Sequence, residues 1–221
     1  MAKFGMVVDL DKCIGCGACV VACKVQNNVQ DGIKWCDSII KTEGTFPNIK
    51  HTHTVTMCNH CTNAPCVASC PTKPKSMYKG DNGITMHNPQ TCIGCRNCER
   101  NCPYGVISFN SGEVHPFWKD KLGQETVKKA GGKITPYYNP DVAFRKKGIV
   151  EKCTFCYEIT TKGEQPYCSK VCPPSALVFG DLDDKNSDVS KLLKTYKATR
   201  LLEEKNTGPN VYYVREYISR K

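Results

Sequence analysis

The absences in this 221-residue sequence narrow it first. No run approaches the roughly 18 consecutive apolar residues that cross a bilayer, which excludes a membrane-spanning helix. The start, Met1-Ala2-Lys3-Phe4-Gly5, passes straight into a strand-like Met6-Val7-Val8 with no signal-peptide apolar region and no twin-arginine pair. Any export is therefore expected to be arranged by something else. A phosphate-cradling glycine loop is missing, as is any evident nucleophile–base arrangement, which argues against a nucleotide-dependent or hydrolytic enzyme. Leu, Ile, Val and Phe together number only 45, close to the level at which chains stay disordered. A core this thin needs staples.

The staples on offer are 17 cysteines, and sixteen of them fall into four quartets. The clearest is Cys92-Ile93-Gly94-Cys95-Arg96-Asn97-Cys98-Glu99-Arg100-Asn101-Cys102-Pro103, spaced C-x₂-C-x₂-C-x₃-C-P, the run by which bacterial ferredoxins hold cubane clusters. Gly94 lets the backbone pass close to inorganic sulfide, and Pro103 stops the short helix that carries Cys102. Cys13, Cys16, Cys19 and Cys23 repeat the spacing but end in Lys24 rather than proline, so their helix is expected to run on past Ala18–Val25. Cys58, Cys61, Cys66 and Cys70 are spaced C-x₂-C-x₄-C-x₃-C-P, and Cys153, Cys156, Cys168 and Cys172 C-x₂-C-x₁₁-C-x₃-C-P. Disulfides are the alternative, but cysteines this close together favour a shared metal, and an odd total leaves Cys36 over as a packing thiol. The eleven-residue gap would admit zinc, yet the common C-x₃-C-P ending argues for one chemistry throughout.

Four complete quartets leave no open iron for a substrate, so the expected role is conduction by one-electron carriers. The formal charge of +10 fits this reading. An oxidised cube with four thiolates carries roughly −2, so four of them bring the chain to about +2, which weakens a nucleic-acid reading. Lys24, Arg96 and Lys152 each adjoin a quartet and could raise a cluster's potential or be ordinary solvated cations. His60, within a thiol loop, is expected to support the site or to face the surface rather than ligate.

In two-cluster ferredoxins the fourth cysteine of each run ligates the other cluster. Applied here, one cube takes Cys58, Cys61, Cys66 and Cys102, and its neighbour takes Cys92, Cys95, Cys98 and Cys70. The remaining pair is Cys13, Cys16, Cys19 with Cys172, and Cys153, Cys156, Cys168 with Cys23. The expected fold is α+β: two ferredoxin-like two-cluster units related by an internal repeat. One comprises residues 1–27 with 149–182 and the other 55–110; 28–54 and 111–148 are insertions, and 183–221 is a docking tail. Trp35, Phe46, Trp118, Tyr137 and Tyr138 are read as partner anchors or local cover. Expected strands include Met6–Leu10, Ser76–Lys79, Ile84–Met86, Val106–Phe109, Ala176–Phe179 and 211–214, with a helix through Val189 and Leu192.

The four spacings taken together resemble the four-cluster electron-transfer subunits of the dimethyl sulfoxide reductase family of molybdenum enzymes, over about residues 5–182. Asp31-Gly32-Ile33-Lys34-Trp35, Glu43-Gly44-Thr45-Phe46-Pro47 and the run from Cys102 to Asn110 are similar to respiratory arsenate reductase small subunits. The resemblance implies four [4Fe–4S] clusters and a large catalytic partner carrying a molybdenum (or tungsten) bis-pterin guanine dinucleotide. At the far end it implies a membrane quinol-linked subunit or a soluble carrier. It also implies a place outside the cytoplasmic membrane, by export together with the catalytic subunit, with a cytoplasmic place left open. A freestanding polyferredoxin shuttle is the rival.

Overall fold

The strand Phe4–Asp9 (β1) is the axis on which the chain closes. Its Met6, Val7 and Val8 have no exposed surface, as expected of a short apolar run covered on both faces. The computed structural model describes residues 2–112, 139 and 142–216. On one side β1 pairs antiparallel with Leu177–Asp181 (β8), Phe4 opposite Asp181. On the other it pairs in parallel with Val211–Val214 (β10), Met6 opposite Val211, and Ala198–Thr199 (β9) completes the sheet order β8-β1-β10-β9. Alternation sorts the side chains. Met6, Val8, Leu177, Phe179, Val211 and Tyr213 join a core that contains Cys19, Cys23, Cys153 and Cys168. Val7, Val178 and Val214 face the opposite way, onto Val189 and Leu192 of the helix Asp188–Thr195 (α6). Ser187 caps that helix by accepting from the Ser190 N–H. Thiols thus lie beneath one face of the sheet and the carboxyl-terminal helix covers the other. The segment expected as a docking tail is, through residue 214, part of this sheet.

Residues 18–26 form one helix (α1), longer than the four-residue helices Pro65–Ala68 (α2), Asn97–Arg100 (α3) and Tyr167–Lys170 (α5) of the other quartets. Those three runs end in proline and this one does not. A further single turn, Tyr157–Thr160 (α4), fills much of the eleven-residue gap.

Glu43-Gly44-Thr45-Phe46-Pro47 in the 28–54 insertion reads as loop in the sequence, but in the structure the insertion is a paired ribbon. Cys36–Thr45 (β2) and Asn48–Met57 (β3) pair in register from Cys36↔Met57 to Thr45↔Asn48, with Phe46-Pro47 at the tip. Only the base is buried, through Cys36, Val55 and Met57; from Ile39 to His51 the ribbon is exposed. Met77–Lys79 (β4) and Thr85–His87 (β5) form the expected hairpin over Gly83. Ser108–Asn110 (β6) pairs with Ile149–Glu151 (β7), so the strand that leads into the last quartet is held by the second unit's exit strand. Trp118, Tyr137, Tyr138 and most of the 111–148 insertion lie outside the described residues.

Candidate functional site

The four thiol loops share a backbone device. The third residue of each C-x₂-C adopts a left-handed conformation: Gly15 at φ 68°, His60 at 45°, Gly94 at 69° and Phe155 at 53°. Glycine suits this at two positions, and at Gly94 any Cβ would lie 2.0 Å from the Gly148 carbonyl oxygen. His60 and Phe155 carry side chains in the same unfavourable region and stack on each other with ring centroids 3.8 Å apart, both essentially fully buried. That packing holds the strained conformation.

The helices then bring thiols from distant parts of the sequence together. Cys13, Cys16, Cys19 and Cys172 line one small cavity beneath β1, with Ser38 and Val55 of the β2–β3 hairpin. Cys70, Cys92, Cys95 and Cys98 line another. Burial pushes the Cys66 thiol up to about 12, with Cys58, Cys102 and Cys61 adding repulsion and Lys152 opposing it. Burial likewise raises Cys61 and Cys102, each also repelled by Cys58. Cys23 is pushed up to about 12 by burial and then by Cys156. Cys153 and Cys168 rise well above the ordinary thiol range, first through burial; Cys23, Cys58 and Cys156 then act on Cys153, and Cys153, Cys23 and Cys156 on Cys168. Cys98 is raised to about 11 by burial, with Cys92 and Cys95 contributing. Two of the groups named in sequence thus line common cavities, Cys13, Cys16 and Cys19 with Cys172 and Cys92, Cys95 and Cys98 with Cys70, while Cys66 lies near Cys58, Cys61 and Cys102 and Cys168 near Cys153, Cys156 and Cys23.

This donor chemistry suits a polynuclear cation. Buried thiols that repel one another stay ionised only beside compensating metal charge. Among the described residues, no group of three or more His, Cys, Asp or Glu closes on a position for a single metal ion. The shared C-x₂-C and C-x₃-C pattern of the four thiol runs suits an iron–sulfur cube. Hydrogen-bond donors approach the sulfurs as well. The Asn27 amide lies 3.7 Å from Cys23 Sγ and 3.8 Å from Cys156 Sγ, the Ala176 N–H 3.2 Å from Cys172 Sγ, and the Met77 N–H 3.5 Å from Cys70 Sγ. Asn27 was legible as the residue one turn beyond Cys23 on a helix that no proline stops.

Other expectations separate here. Cys36 is buried, as a packing thiol would be, and its contact with Cys19 lowers that thiol below the ordinary range. His60 is not turned outward; its Nδ1 accepts the Thr85 N–H at 3.1 Å. Trp35 is buried and donates to Glu151 Oε2 at 3.0 Å, with the Arg145 guanidinium 4.4 Å above its ring, so it is cover rather than an anchor. Phe46 is 88 % exposed. Lys24 donates to the Gln30 and Ile33 carbonyls, Arg96 pairs with Glu99 at 2.6 Å, and only Lys152 is buried.

Comparison with known proteins agrees with this geometry. A family described as a 4Fe-4S dicluster domain matches residues 49–119 and 117–182, and one described as a 4Fe-4S binding domain matches residues 4–25. The arsenate respiratory reductase iron-sulfur subunit ArrB of Shewanella sp. (strain ANA-3) is 46% identical, over 97% of this chain and 97% of its own. The menaquinone reductase iron-sulfur cluster-binding subunit of Nitratidesulfovibrio vulgaris is 34% identical, over 99% and 91%. The protein NrfC of Escherichia coli (strain K12) is 34% identical, over 96% and 80%.

Proposed function

Because this chain belongs to the 4Fe-4S dicluster family of reductase iron–sulfur subunits, we propose that its four thiol sets hold four [4Fe–4S] clusters. The chain serves as the electron-transfer subunit of a reductase complex. The single observation that supports the cluster count is the grouping of thiols from different runs, two groups of four lining common cavities and the other eight cysteines lying close enough to act on one another. The assignment is Cys13, Cys16, Cys19 and Cys172; Cys23, Cys153, Cys156 and Cys168; Cys58, Cys61, Cys66 and Cys102; and Cys70, Cys92, Cys95 and Cys98. When bound, each cluster supplies one-electron redox chemistry. The polypeptide does the rest: it fixes the thiolates, donates hydrogen bonds to them from Asn27, Ala176 and Met77, and keeps water out with Trp35, Phe155 and Phe179.

The partner we propose is a large catalytic subunit carrying a molybdenum or tungsten bis-pterin guanine dinucleotide. The 46% identity to an arsenate respiratory reductase subunit supports an arsenate reductase-like complex. Among the described residues no helix is long and apolar enough to cross a membrane, so a quinol-linked membrane subunit or a soluble carrier is assigned to the far end. We place the complex outside the cytoplasmic membrane, reached by export together with the catalytic subunit.

The test is anaerobic purification of the chain co-expressed with its catalytic partner, with iron and acid-labile sulfide counted per chain. About sixteen of each are expected, and Cys95→Ala should remove about four irons. A colourless zinc protein, or wild-type material with far less iron, overturns the reading. Full cluster content in a stable monomer that binds no large subunit would favour the freestanding shuttle.

A further inference from the structure

Lys152 is 1 % exposed, and its ammonium donates to the main-chain carbonyls of Thr85 and, at 2.8 Å, Cys153. Among the described residues it forms no ion pair. Its neighbour Glu151 is engaged elsewhere, by Trp35. A second ammonium, that of half-buried Lys79, donates to the carbonyls of Cys61 at 2.9 Å, His60 at 3.2 Å and Gly83, and to Thr85 Oγ1 at 3.3 Å. Thr85 therefore ties both lysines together and also donates its N–H to His60, whose ring stacks on Phe155. This cage joins the Cys58–Cys61 loop of one unit to the Cys153–Cys156 loop of the other.

Both charges bear on one thiol set. Lys79 feels Cys58, Cys61 and Cys66, and Lys152 acts on Cys66. At the other sets the nearby cations face carboxylates or are only partly buried. Arg96 is paired with Glu99 and Lys170 with Glu164, and Lys24, which also donates to carbonyls, is only half-buried. Arg145, which feels Cys23, also faces Glu151 and Glu158. A buried ammonium without a carboxylate is costly unless an anion elsewhere compensates it. A cluster in the Cys58 set, beside the Cys61 carbonyl that Lys79 holds and the Cys66 thiol on which Lys152 acts, would supply that anion; it would be more negative when reduced than when oxidised, so nearby positive charge favours the reduced form.

We propose that Lys152 and Lys79 form a buried cationic clamp that raises the reduction potential of the cluster held by Cys58, Cys61, Cys66 and Cys102. That cluster becomes the resting point for an electron crossing between the two ferredoxin units. The inference rests on the four-cluster reading above. The lysines are positioning residues and ligate nothing.

The test is a redox titration of the holoprotein followed by electron paramagnetic resonance, on wild type, Lys152→Met, Lys152→Arg and Arg96→Met. In Lys152→Met with full iron content, one cluster should lose at least tenfold in its reduction equilibrium, a fall of about 59 mV for a one-electron couple. The other three should move less, Lys152→Arg should stay near wild type, and Arg96→Met should shift none comparably. Unchanged midpoints in iron-replete Lys152→Met, or an equal shift in all four clusters, overturns the clamp. Should Lys152→Met lose iron, Lys79→Met against Lys79→Arg is read by the same two outcomes. Wild-type protein without four clusters would overturn the underlying reading, whereas four clusters indifferent to both lysines would overturn the clamp alone.

Discussion

At β5, burial pulls His87 down to about 4, with repulsion from Lys152 and Arg145 adding to it. An exposed histidine titrates near 6.5, so on acidification the unfolded chain takes up the proton first. His87 thus contributes its full stability above about pH 6.5 and loses it as pH falls toward 4. Going from pH 7.5 to pH 5 should cost on the order of 2 kcal/mol from this residue. Anaerobic urea denaturation of wild type and His87→Leu at those two pH values checks this: the variant should show the smaller difference, and equal differences would refute it. Single residues also mark where the sequence was readable. The sixteen thiols stood out because their spacing is local. Lys152 could be singled out only together with Lys24 and Arg96, because nothing in Glu151-Lys152-Cys153 distinguishes a buried ammonium from a solvated one. Nor could the sequence show that His60 and Phe155, 95 positions apart, lean on each other to hold two strained turns.

Among the elements, the β2–β3 hairpin is the one whose local sequence misleads. A strand is ordinarily betrayed by one buried face, and from Ile39 to His51 this ribbon has none, so Glu43-Gly44-Thr45-Phe46-Pro47 reads as loop. At about 3.4 Å per residue its ten-residue strands reach about 34 Å, and its outer half displays Ile39, Ile40, Phe46 and Ile49 to solvent. Exposed apolar side chains on a projecting ribbon suit contact with another protein. Phe46→Ser is therefore expected to weaken retention of the large subunit on a tagged chain by about tenfold, on the order of 1.4 kcal/mol, while leaving iron per chain unchanged. A pull-down with parallel iron analysis reads both; undiminished retention would remove the hairpin tip from the interface. Helix α1 was the opposite case, since Lys24 in place of proline announced its extra length.

Across the whole molecule, what escaped the sequence is long-range. Parallel pairing of β1 with β10 joins residues some 200 positions apart and leaves no local trace, which is why residues 183–214 read as a tail rather than as half of a sheet's cover. Val189 is fully buried against Val7 and Val214. Replacing it with Asp should cost about 3–5 kcal/mol, the range for an unpaired charge forced into a core. Damage should fall mainly on the unit that β1 organises. Iron is expected to drop from about sixteen toward about eight per chain, with the Cys58 and Cys92 sites retained. Uniform loss from all sites would instead mean that the two units do not fold separately.

The closure of the first sheet by both ends of the polypeptide has a consequence for biosynthesis. On the proposed ligand assignment the middle quartets are complete by Cys102, so cubes held there could be installed while the ribosome is still adding residues. The outer sites must wait for Cys172, and β1 meets its parallel partner only once Val211 has left the exit tunnel. Maturation should therefore proceed from the centre outward, and a transcript truncated before codon 150 should yield a half-metallated, brown intermediate.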